Sequence, residues 1–301
     1  MQMKTPKNSY KGRWDTKRKP RKGWLPNPRD TEILEFVWQH GFLTPHHIGW
    51  ILELSKRRSE ELLKRLWDNG YLNRPEPKLR ARYPFMPYVL TKRGADVVAQ
   101  KHRVRRSELD WVKEPSWQQV EHDASITDFR IILTKACERD PDFTFQQWIG
   151  ETTFRSRQDQ VVYHDLKGNE RKKRIYIDGY ALIKRFIPNE DDKYFRLLIE
   201  AELSPKTNPR FADDKVLPQY AYLRSEIYEK RLGSTSGRYL YIVPTREKLD
   251  NFRRAVEGAL PRKEWVIFYF TTYEQISVDS ILYDKIWLRA GNDRAVSLFK
   301  S

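Results

Sequence analysis

Apolar positions recur at helical spacing through the first hundred residues. Ile33, Leu34 and Val37 share one face of a segment running from Arg29 to His40 and closed by Gly41. Thr44 followed by Pro45 is an N-cap with proline at the first helical position, and it opens a second helix carrying Ile48, Ile51 and Leu52. Ser55 caps a third helix, with Leu62, Leu63 and Leu66 inward, before the stop at Asn69-Gly70. Its outward face holds Lys56, Arg57, Arg58, Lys64 and Arg65. The chain then shortens into two strands, Tyr71–Arg74 and Tyr88–Leu90, around a Pro-rich loop with Lys78, Arg80 and Arg82. Thr91 caps a closing helix through Ala99. Three helices followed by a basic hairpin form the pattern of a winged helix-turn-helix, spanning residues 25–102.

After a patternless, charged stretch at 103–116, with a boundary near Glu114, periodicity returns over 117–275. Val120–Arg139 is a helix with the stripe Ile126, Phe129, Ile132, Leu133 and Ala136. Strands are predicted at Phe143–Ile149, Arg174–Ile183 and Lys193–Leu203, the last buried on both faces through Leu197-Leu198-Ile199. A long helix follows at Phe211–Arg231, then a strand at Tyr239–Val243, a helix at Arg246–Glu257 and a strand at Trp265–Phe270. The remaining residues, 276–301, carry Ile281, Leu282, Ile286, Trp287 and Leu288 and read as an extension that docks a protein partner.

Charge sharpens this picture. The chain has 57 Lys and Arg against 41 Asp and Glu, a net +16, and half of that excess sits in residues 1–23. Residues 1–24 therefore read as a disordered basic arm that grips phosphates, or else as a solvated tail. An overall excess of this size favours nucleic acid, with DNA in duplex form as the expected partner. On the third helix and the wing, Lys56, Arg57, Arg58, Ser59, Lys64, Arg80 and Arg82 are the candidate DNA contacts. A winged helix serving as a protein-protein module is the alternative. Arg171, Lys172 and Lys173, with Arg174, read as a phosphate-contacting turn between strands or as a solvated one.

Other chemistry is thinner. The single Cys137 forms no internal disulfide and reads as a packed side chain. No apolar run is long enough to span a bilayer, and the N-terminal residues lack the apolar core of a secretory signal, so a soluble, cytoplasmic protein is expected. No Walker sequence is present, so no nucleotide cofactor is expected. His46-His47 reads as a capping or surface pair. Three acids stand out instead: Asp178, then Glu200 and Glu202, two apart on one strand and so on one face. If the strands pair, the carboxylates converge and call for Mg2+ or Mn2+, with Lys215 neutralising a phosphate. The alternative is acids on a sheet rim held by basic partners.

With these residues in view, the chain resembles the replication-relaxation family of plasmids, phages and other mobile elements. The resemblance covers residues 29–258. It rests on the winged helix, on Tyr88-Val89-Leu90-Thr91-Lys92-Arg93-Gly94, and on His122-Asp123 with Thr127-Asp128-Phe129. Ile177-Asp178-Gly179-Tyr180, Ile199-Glu200-Ala201-Glu202 and Lys215-Val216-Leu217 leading to Tyr220 complete it. The second half of that family is similar to the PD-(D/E)xK nucleases, which implies an α+β protein: a winged helix followed by a mixed α/β restriction-endonuclease-like domain. The resemblance places the metal-binding acids at Asp178 and Glu200. The motif lysine falls at Glu202, a departure that some type II restriction endonucleases share, while Lys215 stands where other members carry a migrated lysine. Glu121 or His122 matches an auxiliary acid position. The function implied is DNA binding in replication, relaxation or its control. The alternative is a divalent-metal-dependent DNA endonuclease targeted by its winged helix.

Overall fold

The computed structural model describes residues 17–75, 86–109, 111, 119–204 and 210–299. They divide into two units, with the division at Ile131–Ile132. It falls inside a helix, Val120–Arg139, and the expected boundary near Glu114 lies outside the described residues.

The first unit begins with three capped helices. Helix α1 (Pro28–His40) starts on Asn27, whose side chain and that of Asp30 bond each other's backbone N–H groups in a capping box. It ends at Gly41, whose positive φ of 78° is one that glycine adopts without a Cβ penalty. Helix α2 (Pro45–Leu52) has the same box between Thr44 and His47, and helix α3 (Lys56–Asp68) is capped by Ser55. Strands β1 (Leu72–Asn73) and β2 (Val89–Leu90) pair antiparallel, and helix α4 (Lys92–His102) closes the unit behind the Thr91 cap. Ile33, Leu34, Val37, Leu63, Leu66 and Val98 are fully buried, which is what holds the three helices and α4 around one core. The order of helices and hairpin is that of a winged helix.

Residues 17–24 depart from the expected free arm. Arg18 donates to the carbonyl of Trp67 at 2.6 Å, and the backbone N–H groups of Lys19 and Arg21 donate to Asp68 and Asn69. Trp24 packs edge-on against Tyr71. The end of α3 thus binds the incoming chain through one backbone carbonyl and two side-chain oxygens. The rest of the expected arm lies outside the described residues.

The second unit is built on a seven-stranded sheet in the order β11-β10-β9-β8-β7-β6-β3. Strand β6 (Gly179–Arg185) runs antiparallel to both of its neighbours, β3 (Phe143–Gly150) and β7 (Lys193–Ala201). Strands β8 (Arg238–Val243) and β9 (Phe268–Thr272) run parallel to β7. Leu197, Leu198 and Ile199 are all fully buried, as expected of a strand covered on both faces. Helix α5 is Val120–Arg139, α6 is Glu151–Arg157, α7 Leu217–Leu223, α8 Glu226–Leu232 and α9 Arg246–Ala259.

Four expectations change. The predicted strand Arg174–Ile183 is two strands. Its first residue ends β5 (Glu170–Arg174), which pairs with β4 (Gln160–His164) in a separate hairpin, and the chain crosses to the main sheet over 175–178. Arg171, Lys172, Lys173 and Arg174 therefore lie in a strand, and the turn is 165–169, where Asp165 accepts from the backbone N–H groups of Lys167 and Asn169. The predicted helix Phe211–Arg231 is a π-helical turn (Ala212–Val216), α7 and α8. Ser225 caps Tyr228 and restarts the helix after Arg224. The last parallel strand starts at Phe268, because Arg262–Ile267 forms a 3-10 turn that Trp265 ties to the carbonyl of Leu260 at 2.9 Å. Finally, residues 276–299 add β10 (Trp287–Arg289) and β11 (Asn292–Val296) to the sheet, so their apolar residues are spent on the core and not on a partner.

Candidate functional site

The acids singled out by spacing meet where β6 begins and β7 ends. Asp178 precedes Gly179, which pairs with Ile199, so Asp178 stands across from Glu200 in the register. Position 179 must be glycine because the ring of Trp148 packs directly on it: a Cβ would lie 2.5 Å from that ring. Asp178 Oδ2 accepts from the N–H of Ala201 at 2.9 Å, locking the two strand ends together.

Glu200 is 4% exposed, and each of its oxygens has a protein donor. Lys215 Nζ donates to Oε2 at 2.6 Å, and Gln219 Nε2 donates to Oε1 at 2.9 Å. The Gln219 amide is oriented in turn by Tyr241, whose hydroxyl donates to Oε1 of Gln219 at 2.6 Å, and Tyr239 donates to the Gln219 carbonyl at 3.1 Å. Burial, then the charge of Glu200, pushes the Tyr241 phenol well above its ordinary value, so it remains a donor. Burial alone would lower the Lys215 ammonium; the charges of Glu200 and Asp178 and the hydrogen bond to Glu200 overcome it and raise the group. Lys215 is thus paired with Glu200 and also feels the charge of Asp178. Glu202 sits at the rim: its Oε1 accepts from Ser204 N at 3.0 Å and its Oε2 lies 3.5 Å from the buried Lys248.

Each Glu200 oxygen takes one protein donor and keeps a second lone pair, so a hard divalent ion at Asp178 and Glu200 would share these oxygens with Lys215 and Gln219. Among the described residues, no group of three Asp, Glu, His or Cys side chains stands together as ligands. The donor set fits a carboxylate neutralised by a lysine; it does not fit the three-acid cluster expected of Asp178, Glu200 and Glu202.

The hairpin β4–β5 rests on the turn that presents Lys215. Tyr163 donates to the carbonyl of Asp213 at 2.9 Å, the N–H of Leu166 to its carboxylate at 2.8 Å, and Lys173 to the carbonyl of Asp214 at 2.5 Å. Arg171 pairs with Asp165 at 3.0 Å. Of the three basic residues assigned to phosphate contact, two are thus engaged within the unit, and Lys172 is exposed.

On α3, Lys56, Arg57 and Arg58 are exposed in the first turn, with the surface pairs Lys56–Glu60, Arg57–Glu61 and Arg58–Glu61 beneath them. Such exposed pairs contribute little to stability. Lys64 pairs with Asp68 at 2.9 Å. Ser59 is fully buried with its hydroxyl on the Ser55 carbonyl, so it faces the core and not a groove. Arg80 and Arg82 lie outside the described residues. Glu121 and His122 open α5 in the first unit, where His122 lies 3.4 Å from Asp123. His47 caps α2 and bonds Asp128 at 2.9 Å. Burial pushes the Cys137 thiol up to about 12, with Asp140 and Glu138 adding to the shift, which leaves it a packed side chain.

Sequence reasoning passed over Gln219, Tyr241 and Lys248. Gln219 had one legible signal, a position one helical turn after Lys215. Among the described residues no helix is long and apolar enough to cross a membrane.

The family described as replication-relaxation matches residues 34–231 of the chain. No curated protein matches it. Among solved structures, a mutant MarR from E. coli complexed with operator DNA is 19% identical, with 36% of this chain and 74% of that one covered at a TM-score of 0.23. The transcriptional regulator Tm0710 from Thermotoga maritima is 23% identical, with 38% and 77% covered and the same TM-score of 0.23.

Proposed function

The chain belongs to the replication-relaxation family, and on that premise we propose that it is a DNA-binding protein of a mobile element, acting in replication, relaxation or its control. The observation that carries this reading is the exposed, basic first turn of α3, the element that a winged helix sends into the major groove. The net charge of +16 supports it through phosphate neutralisation.

In this reading the second unit is a nuclease-like fold that holds DNA without cutting it. Asp178 before β6, Glu200 on β7 and Lys215 on the following turn keep the order that the PD-(D/E)xK resemblance implies. The engagement of both Glu200 oxygens by Lys215 and Gln219 favours holding over cutting. The placement of Lys215 against Glu200 also suits the second reading, a Mg2+- or Mn2+-dependent endonuclease, in which that ion pair opens.

One experiment separates the two. Supercoiled plasmid is incubated at low salt with the protein or its Asp178→Ala variant, in Mn2+, Mg2+ or chelator, and half of each sample is deproteinised before electrophoresis. The expected result is retarded, intact DNA, equal for both proteins and released as salt rises. Metal-dependent nicked or linear DNA from the wild type alone would replace this reading with the endonuclease.

A further inference from the structure

From Lys172 onward the chain alternates in burial. Ile175 and Ile177 are buried and Lys173 turns in to Asp214, whereas Lys172, Arg174 and Tyr176 are exposed, and Asp178 comes next in the same parity. The cross-strand neighbours agree: Lys172 lies opposite Val162 and Arg174 opposite Gln160, both exposed. Directly paired residues share a face, so the outer face of the hairpin continues through Tyr176 to the acidic site. Neither Lys172 nor Arg174 has an ion-pair partner among the described residues, although Arg171 and Lys173 beside them do. Tyr176 is 36% exposed, and the guanidinium of Arg155 stands 5.1 Å from its ring centre. Arg155 is itself held by Glu151 at 2.5 Å and is near enough to Asp178 to feel its charge.

From this row we infer that a single DNA strand runs along the outer face of the β4–β5 hairpin toward Asp178, its phosphates on Lys172 and Arg174 and one unstacked base on Tyr176. The inference rests on the DNA-binding reading and adds the strand's path. Two free cations spaced by alternate strand residues, followed by an exposed aromatic ring, are the two parts a single-strand site combines: charge for the backbone and a π-face for a base. A duplex satisfies the cations but keeps its bases stacked, which leaves the ring unused. The neutralised Glu200 and the exposed Arg155 keep the end of the path from repelling the strand.

The test compares binding of a fluorescent oligothymidine and of a duplex of arbitrary sequence across a salt series. Lys172→Glu/Arg174→Glu is matched by Arg262→Glu/Lys263→Glu, an equal change in charge at exposed residues before the start of β9. Those residues lie at the end of the parallel strands opposite Glu200. The first pair is expected to lower the salt slope for the single strand by about 1.4, two contacts at about 0.7 each, and the control by much less. Tyr176→Ala is expected to weaken single-strand binding about tenfold and duplex binding little, with Tyr176→Phe close to wild type. Equal effects of the two charge variants, or unchanged single-strand binding by Tyr176→Ala, overturn the path while DNA binding stands. A Tyr176→Ala loss that is the same for duplex also overturns it. A wild type that binds neither DNA fails the DNA-binding reading and the path with it.

Discussion

Glu200 shows how a buried charge is made tolerable. An ionised carboxylate out of water is costly unless each oxygen has a donor, and here an ammonium and an amide supply them. The amide is useful only because Tyr241 fixes which end faces Glu200. Gln219→Leu would strip Oε1 of its donor and leave the Tyr241 hydroxyl without its acceptor, at about 1–3 kcal/mol for an unsatisfied buried group. Urea unfolding is expected to show that loss, and a variant as stable as wild type would mean the network contributes nothing. Spacing alone identified Asp178, Glu200 and Lys215, since strand parity and helix position are local properties. Glu202 shares the parity of Glu200, yet it falls after the last residue of β7, where the strand geometry that would align the two has ended. The buried serine at 59 was misplaced for a related reason: a helix face is chosen by the core, and Ser59 bonds back to Ser55 beneath it.

At the scale of elements, caps made the first unit legible. Thr44, Ser55 and Thr91 each bond a backbone N–H three residues on, and three of the four helices begin where those residues stand; Asn27 does the same before α1 without having been read as a cap. Gly94, in the first turn of α4, is fixed by contact and not by conformation: a Cβ there would lie 2.2 Å from the carbonyl oxygen of Tyr71. Backbone cannot yield as a side-chain tip does, so Gly94→Ala is expected to cost about 1–3 kcal/mol by overpacking. Calorimetry should record a lower melting temperature, whereas an unchanged melt would show that the hairpin root and α4 can separate freely. The second unit hid more. The hairpin β4–β5 and helix α6 escaped notice because a strongly charged strand such as Glu170–Arg174 has no apolar alternation to reveal it. The break at Arg224–Ser225 was marked by a serine cap, but an apolar stripe continuing on both sides masked it.

At the scale of the whole molecule, the C-terminal residues complete the core of the second unit. Ile281, Trp287, Leu298 and Phe299 are buried, and the ring of Phe299 packs edge-on against Phe143 and Phe195. Arg185 donates to the Phe299 carbonyl at 2.8 Å, and Arg238 to that of Leu298. Removing one large buried side chain costs about 2–5 kcal/mol, and the whole stability of a domain is about 5–15 kcal/mol. A chain ended at Gln275 is therefore expected to lose the second unit, seen as insolubility or as rapid proteolysis beyond Ile132 with the first unit spared. A soluble, protease-resistant truncation would return residues 276–301 to the role of a partner-binding extension.

By itself the sequence determined the caps, the strand that is apolar on both faces, the basic face of α3 and the parity of the acids, because each depends on neighbours within a few residues. It also carried the family, since short motifs survive as strings. Tertiary structure alone decided which donors hold Glu200, where the chain leaves the hairpin for the sheet, and which basic residues of β5 turn inward. Those outcomes depend on groups such as Asp214, Gln219 and Tyr241, far along the chain, whose approach is fixed only when the sheet and the helices close on their shared core.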